Sequence, residues 1–199
     1  MSIQFALSSL SISPIRRQFL LTPLQCRFTF DRPRFHGDSA MRICLQRVQS
    51  AKVLVENETV GQIGPGLVLL VGFKQGDTDA AIAPIVRKIA ELRIFEDEQG
   101  RMNLSLLDLG LSVLVVSQFT LYADTRKGRR PSFTDALEPV AAEKLYLRVI
   151  DAFQSMGVTV AAGRFGARML VEINNWGPVT IVLDDQVGGL TPGRDAATV

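Results

Sequence analysis

The folded part of this sequence has no histidine. The single one, His36, stands in a leader-like segment, and none follows it. Arrangements that use an imidazole as general base, such as Ser-His-Asp or Cys-His, therefore cannot be assembled downstream of residue 36. Cysteine is also scarce. Cys26 and Cys44 make neither a framework of staples nor a metal-ligand spacing, which leaves a reducing compartment as the default. No apolar run approaches the length needed to cross a membrane.

A broad basic field is missing as well. Residues 1–40 hold five Arg and two Asp, while the remaining chain holds 17 basic and 18 acidic residues. The body, at −1, cannot bind nucleic acid through general attraction to phosphates, so any contact with RNA must come from a local patch. At 199 residues the chain suits one domain with tails.

The first forty residues are rich in Ser and Arg and contain no acid before Asp31. This fits an organelle transit peptide, or equally a disordered leader added by an upstream start, since Met41 opens a strand-like run. The domain is therefore expected over 41–185, with a loose, turn-rich tail over 186–199.

From Met41 the pattern is strand-like in RICLQRV, AKVLVEN, TVGQIG and GLVLLVGF, with turns at Asn57-Glu58 and Gly64-Pro65-Gly66. GQIGPG joins two strands and opens no helix, so it reads as a hairpin turn, not a phosphate loop. Residues 78–94 switch to helical spacing, with Ile82, Ile85, Val86, Ile89 and Leu92 on one face and Asp77 as N-cap. RIFED and EDEQGRMNLS read as a strand end and a turn. LSVLVVSQFTLY (111–122) reads as a buried strand. The stretch from Pro139 to about Met156 is helical, with Leu145, Val149, Ile150 and Phe153 facing a core. VTVAA, RMLVEI and VTIVL close the domain as strands. Mostly strands with two main helices on one face define a single layered α/β domain.

Two stretches hold candidate chemistry. In SQFTLYADTRKGRRPSF (117–133), a Val-rich strand ends in Ser117, Gln118, Phe119 and Thr120, groups that either satisfy the backbone or line a pocket. The loop beyond carries Arg126, Lys127, Arg129 and Arg130 around Gly128, either a solvated charge run or a grip on phosphates. In NNWGPVTIVLDD (174–185), Gly177-Pro178 separates two strand patterns. A Gly-Pro pair alone is most simply a turn.

Together with GRFGARM (163–169), MRICLQRVQSAKVLVE (41–56) and RIFEDEQGRMNLS (93–105), these stretches resemble the D-aminoacyl-tRNA deacylase family, in order, from Met41 to about Asp184. The resemblance implies a β/β/α domain of that family's type. It implies an enzyme that hydrolyses the ester joining a D-amino acid, or wrongly attached glycine, to the terminal adenosine of tRNA. It implies a homodimer with its active site at the interface, no metal or other cofactor, and no membrane partner. Ser117, Gln118, Phe119 and Thr120 correspond to the family's SQFTL motif, and Gly177 and Pro178 to its Gly-cisPro motif, inserted from one subunit into the pocket of the other. Paired carbonyls there would receive the substrate's amino group and exclude an L side chain, since glycine's missing Cβ allows close approach. On this reading Arg47 holds the pair through backbone carbonyls, the alternative being a strand-edge arginine in solvent. Thr120 orients water or structure, because nothing activates it as a nucleophile. One departure stands out: Trp176 occupies the place of the family's usual Asp, where it packs at the interface or stacks on adenine. The expected location is the cytoplasm, or a plastid or mitochondrion if residues 1–40 are a transit peptide.

Overall fold

A computed structural model describes residues 41–184. The leader expected over 1–40, with Cys26 and His36, and the tail expected over 186–199 lie outside these residues.

The architecture grows from one long strand. β1 (Arg42–Val55) alternates apolar and polar residues, so Ile43, Leu45 and, past a bulge, Ala51 and Val53 turn inward. A two-residue turn at Glu56 and Asn57, both at positive φ, leads into β2 (Glu58–Ile63) and then β3 (Gly66–Gly72). Both pair with β1. β3 takes residues 42–48 and β2 takes residues 51–55, in one continuous antiparallel direction. Gly64-Pro65 is therefore not the hairpin turn its composition suggests. It is a kink between two successive pieces of one strand, and proline is tolerated there because it interrupts the ladder.

The other edge of β1 is covered from Leu54 to Arg42 by β8 (Leu170–Asp184). The expected strands RMLVEI and VTIVL are thus one element, bent where Gly177-Pro178 interrupts it. Beyond β3, β6 (Ser112–Ser117) and β7 (Thr159–Ala162) add in parallel, giving the order β2-β1-β3-β6-β7 with β8 on β1. The strand expected over 111–122 stops at Ser117, where the chain turns into a 3-10 turn, Phe119–Tyr122.

The parallel connections require crossovers, which the helices supply. A short 3-10 turn at Asp79–Ala81 precedes α1 (Ile82–Glu91), with Pro84 in its first turn. Asp77 does not cap this helix. Its carboxylate accepts the Lys74 N–H at 2.7 Å and closes the preceding turn. α2 (Pro139–Ser155) has Glu138 as N-cap, accepting from the N–H groups of Val140 and Ala141, and Pro139 at the position where no N–H is needed. A small ribbon of β4 (Phe95–Glu96) and β5 (Met102–Leu104) follows α1.

Two apolar clusters result. On one face of β3 and β6, Leu67, Leu69, Val113 and Val115 pack with Ile43 and Leu45 against Ile85, Val86 and Ile89 of α1 and Val149 and Phe153 of α2. On the opposite face, Val68, Leu114 and Val116 meet Val48, Ala51, Val53 and Ile63. The bends in β1, β2-β3 and β8 fold the antiparallel half over the parallel half, giving strand, strand and helix layers. Gly61 fits this closure: a Cβ there would lie 2.5 Å from the Ala162 carbonyl oxygen. Among the described residues, no helix is long and apolar enough to cross a membrane.

Candidate active site

The first half of the site is the C-terminal end of β6. Apolar side chains keep Val113–Val116 buried, and the chain leaves the sheet at the half-buried Ser117. The Gln118 N–H donates to the Val71 carbonyl at 2.7 Å, one last rung before the 3-10 turn. Gly72 permits this approach, because a Cβ there would come 2.8 Å from the Gln118 carbonyl oxygen. Arg42 pins the turn from β1: its Nη1 donates to the Leu121 carbonyl at 2.7 Å, and its guanidinium lies 5.0 Å from the Tyr122 ring centre. Within the motif, the Gln118 side-chain amide donates to the Thr120 hydroxyl. Phe119, 57% exposed, meets Phe133 edge-on at 5.1 Å. An exposed ring beside exposed polar groups makes a surface for a planar, polar ligand.

Tyr146 of α2 supports this end from below. Its buried hydroxyl donates to the Val115 carbonyl at 2.8 Å and lies 3.2 Å from that of Gly163, whose N–H also donates to Val115 at 2.9 Å. Burial pushes the Tyr146 hydroxyl up to about 12, so it stays a neutral donor. Sequence reading missed Tyr146, although it lies four residues before Ile150 on the inward stripe.

The second half is the interruption of β8. Between the pairs Gln46↔Thr180 and Val48↔Asn175, β1 spends one residue, Arg47, while β8 spends four, Trp176 to Val179. The excess bulges out as an excursion in which Gly177 and Pro178 are exposed, with a cis peptide bond between them. Asn175 clips its base: Oδ1 accepts the Val179 N–H at 3.1 Å, and Nδ2 donates to Thr180 Oγ1 at 3.0 Å.

Arg47 is 1% exposed, not a solvent-facing edge residue. Its Nε donates to the Trp176 carbonyl at 3.0 Å and its Nη1 to the Ile94 carbonyl at 2.7 Å, while Nη2 lies 3.5 Å from Glu96 Oε1. The Trp176 ring stacks over the guanidinium at 4.7 Å. Gly177 has φ +126°, and a Cβ on it would sit 2.8 Å from Arg47 Nη2. Only glycine fits between the guanidinium and the chain. Sequence reading named neither Ile94 nor Glu96 as a partner here. One sign of Arg47's burial was available, because it follows Ile43 and Leu45 at the inward period of two.

The basic loop is a small hairpin closed by Asp124 and Ser132, whose backbone groups bond each other at 2.8 and 2.9 Å. Arg126 does not offer a free charge. Its guanidinium pairs with Asp124 at 2.7 Å, and these hydrogen bonds hold the Asp124 carboxyl down at about 2. Lys127, Arg129 and Arg130 are exposed on the same loop. Among the described residues, no group of three His, Cys, Asp or Glu is placed to hold a metal ion.

Comparison with known proteins gives this arrangement a lineage. A protein-family model described as D-Tyr-tRNA(Tyr) deacylase matches residues 44–184. A protein of Heliobacterium modesticaldum named D-aminoacyl-tRNA deacylase is 55% identical over 148 residues, covering 74% of this chain and 99% of the relative. A Dehalococcoides mccartyi protein of the same name is 54% identical over 146 residues, covering 73% and 95%. A solved structure titled "c-Myc DNA Unwinding Element Binding Protein" superposes with a TM-score of 0.67 at 38% identity, covering 71% of this chain and 97% of that one. A structure described as a probable eukaryotic D-amino acid tRNA deacylase shares the fold, with a TM-score of 0.64 at 22% identity, covering 73% and 99%. The matching family model and the two deacylase relatives define the class as a hydrolase, carried on this layered α/β fold. The chain belongs to the D-Tyr-tRNA(Tyr) deacylase family.

Proposed function

We propose that this protein hydrolyses the ester between a D-amino acid, or mischarged glycine, and tRNA, and that it rejects L-aminoacyl-tRNA by a main-chain clash. In this reading two copies associate. The Gly177-Pro178 excursion of one copy enters the pocket at Ser117–Thr120 of the other, supported by Arg47.

The observation that carries the cross-subunit part is the separation of the two halves within one chain. Ser117 is in register with Val71, Ile43 and Leu183, whereas the excursion lies opposite Arg47. Three strand spacings of ~4.8 Å and four residues of ~3.3 Å put the halves on the order of 20 Å apart along the sheet. An ester and its α-substituent span a fraction of that. A second copy is the simplest supplier of the missing half, and the exposed Gly177, Pro178 and Val182 offer it a surface.

The chemistry follows from what surrounds Thr120. Its hydroxyl accepts from the Gln118 amide, which cannot take a proton away, so Thr120 is not activated as a nucleophile. Water attacks the ester, which is already reactive and carries a neighbouring ribose 2′-OH. The Gln118 N–H is committed to Val71, so it does not serve as an oxyanion donor. The N–H groups of Phe119 and Thr120 head the 3-10 turn and have no preceding carbonyl within it to bond. Aimed at the developing oxyanion, each is worth roughly 2.7–4 kcal/mol. Lys127, Arg129 and Arg130 grip tRNA phosphates, and the exposed Phe119 ring is a platform for the terminal base.

Two measurements test this. Incubation with D-Tyr-tRNA and L-Tyr-tRNA should release D-Tyr selectively; equal release, or none with tRNA still bound, favours a non-catalytic RNA-binding module instead. Mixing a Gly177 variant with one altered within Ser117–Thr120, each first shown to be inactive alone, should restore activity through hybrid dimers. No recovery in verified hybrids rejects the shared site.

A further inference from the structure

Arg47 is itself held, and the groups that hold it are unevenly disposed. Ile94 and Glu96 approach from the segment joining α1 to β4, on Nη1 at 2.7 Å and Nη2 at 3.5 Å. Trp176 approaches from the excursion, with its carbonyl on Nε at 3.0 Å and its ring 4.7 Å from the guanidinium carbon. The donors of a guanidinium lie in one rigid plane. Fixing Nη1 and Nη2 from the Ile94–Glu96 side therefore fixes where Nε–H points, and with it the position of the Trp176 carbonyl.

Glu96 and the indole do different work. Without Glu96, the 1% exposed cation would face, among the described residues, only neutral carbonyls and a ring, an arrangement that disfavours a buried charge. The guanidinium carbon lies over the indole, a strong cation–π partner that is 38% exposed itself, so the ring roofs Arg47 against solvent. Trp176 thus touches the same guanidinium twice, once through its ring and once through its own carbonyl. A rotation of the ring away from Arg47 removes one of these two constraints and leaves the backbone before Gly177 held by the carbonyl alone.

We infer that Glu96 and Trp176 are positioning residues for handedness discrimination: Glu96 sets the orientation of the Arg47 guanidinium in its plane, Trp176 clamps its face, and together they fix the start of the Gly177-Pro178 excursion. This rests on the reading that the excursion carries the selection. Neither residue touches the reacting atoms. Their effect is on the ratio of D- to L-ester hydrolysis, because a loosened excursion no longer excludes an L side chain.

The test uses the full chain carrying Glu96→Gln, Trp176→Ala or Trp176→Phe, with D-Tyr-tRNA and L-Tyr-tRNA as substrates and urea melts alongside. For Glu96→Gln and Trp176→Ala the D/L ratio of kcat/KM should fall about tenfold, the scale of removing one partly buried cation–π interaction or charge partner. KM for D-Tyr-tRNA should change little, since the phosphate contacts lie elsewhere. Trp176→Phe puts a ring back over the guanidinium and should return the ratio to within about threefold of the parent value. A purely structural role lowers the urea midpoint and leaves the ratio untouched, which overturns the inference. Glu96→Gln changes a side chain that is 43% exposed and decides the question even if Trp176→Ala does not fold. A parent protein that cuts both esters at one rate overturns the selection reading and the clamp with it. A discriminating parent whose variants keep its ratio overturns the clamp alone.

Discussion

Replacing Arg47 by methionine removes a cation while keeping most of its length in a site that is 1% exposed. Two hydrogen bonds from a charged donor disappear, to the carbonyls of Trp176 and Ile94, together with the ion pair to Glu96. Such bonds contribute about 1.5–3 kcal/mol each, so the gross loss is about 3–6 kcal/mol. Part is returned, because the buried guanidinium no longer has to be held out of water and an apolar chain fills the space. The net destabilisation should be about 2–4 kcal/mol. Urea denaturation reads it as a lower midpoint at unchanged slope. The same protein assayed on both tyrosyl esters should have lost at least about tenfold in D over L preference, or ~1.4 kcal/mol of differential barrier. Arg47→Lys should fall between, since an ammonium reaches one carbonyl but cannot span the set in a plane. A methionine variant within ~0.5 kcal/mol of the parent, the range of neutral surface changes, and with intact preference would refute the role assigned to Arg47.

Gly177→Ala places a methyl 2.8 Å from Arg47 Nη2 and 2.9 Å from Val179 Cγ2 at φ +126°. The strain of such a backbone is about 1–3 kcal/mol, and a midpoint equal to the parent's would contradict the geometry. Neutralising Lys127, Arg129 and Arg130 together should leave the melt unchanged but lower kcat/KM on aminoacyl-tRNA. The log–log salt slope should become shallower by roughly 0.7–0.9 for each phosphate that the loop no longer neutralises, and an unchanged slope argues against this loop as the grip. The Asp124 carboxyl is lowered to about 2 by Arg126, below its ordinary 3.8. A depressed folded value means the pair contributes above the unfolded value and is lost as pH falls from about 4 through about 2. An NMR titration should find that low midpoint, and Arg126→Ala should raise it; a midpoint near 3.8 in the parent rules the pairing out.

Helices were legible in the sequence because their information is local. Ile82, Ile85, Val86 and Ile89 recur at the helical period and all four are buried in α1, while Leu92, expected on the same face, lies just past its end in extended backbone. Where β6 ends and its polar motif begins was legible only in part. The Val-rich run is the strand, but nothing local separates Ser117 from the 3-10 turn that follows, since Phe, Thr, Leu and Tyr suit either state. Both Gly-Pro pairs look, by local composition, like breaks between strands. In fact each bends a single strand whose two pieces continue on β1, information that resides in the partner strand. Arg47 could be sited inside from its alternation with Ile43 and Leu45. Its partners could not, because Glu96 and Trp176 lie far off in the chain and reach it only once the sheet and the ribbon have formed.

β1 is stitched along both flanks for most of its length, which makes its residue count the least negotiable quantity in the molecule. Deleting one residue between Ile43 and Gln46 would exchange inside for outside on one stretch and slide two seams out of step at once. Length variation among descendants of this chain is thereby pushed to the loops, while the middle strand acts as the ruler against which both its neighbours are cut.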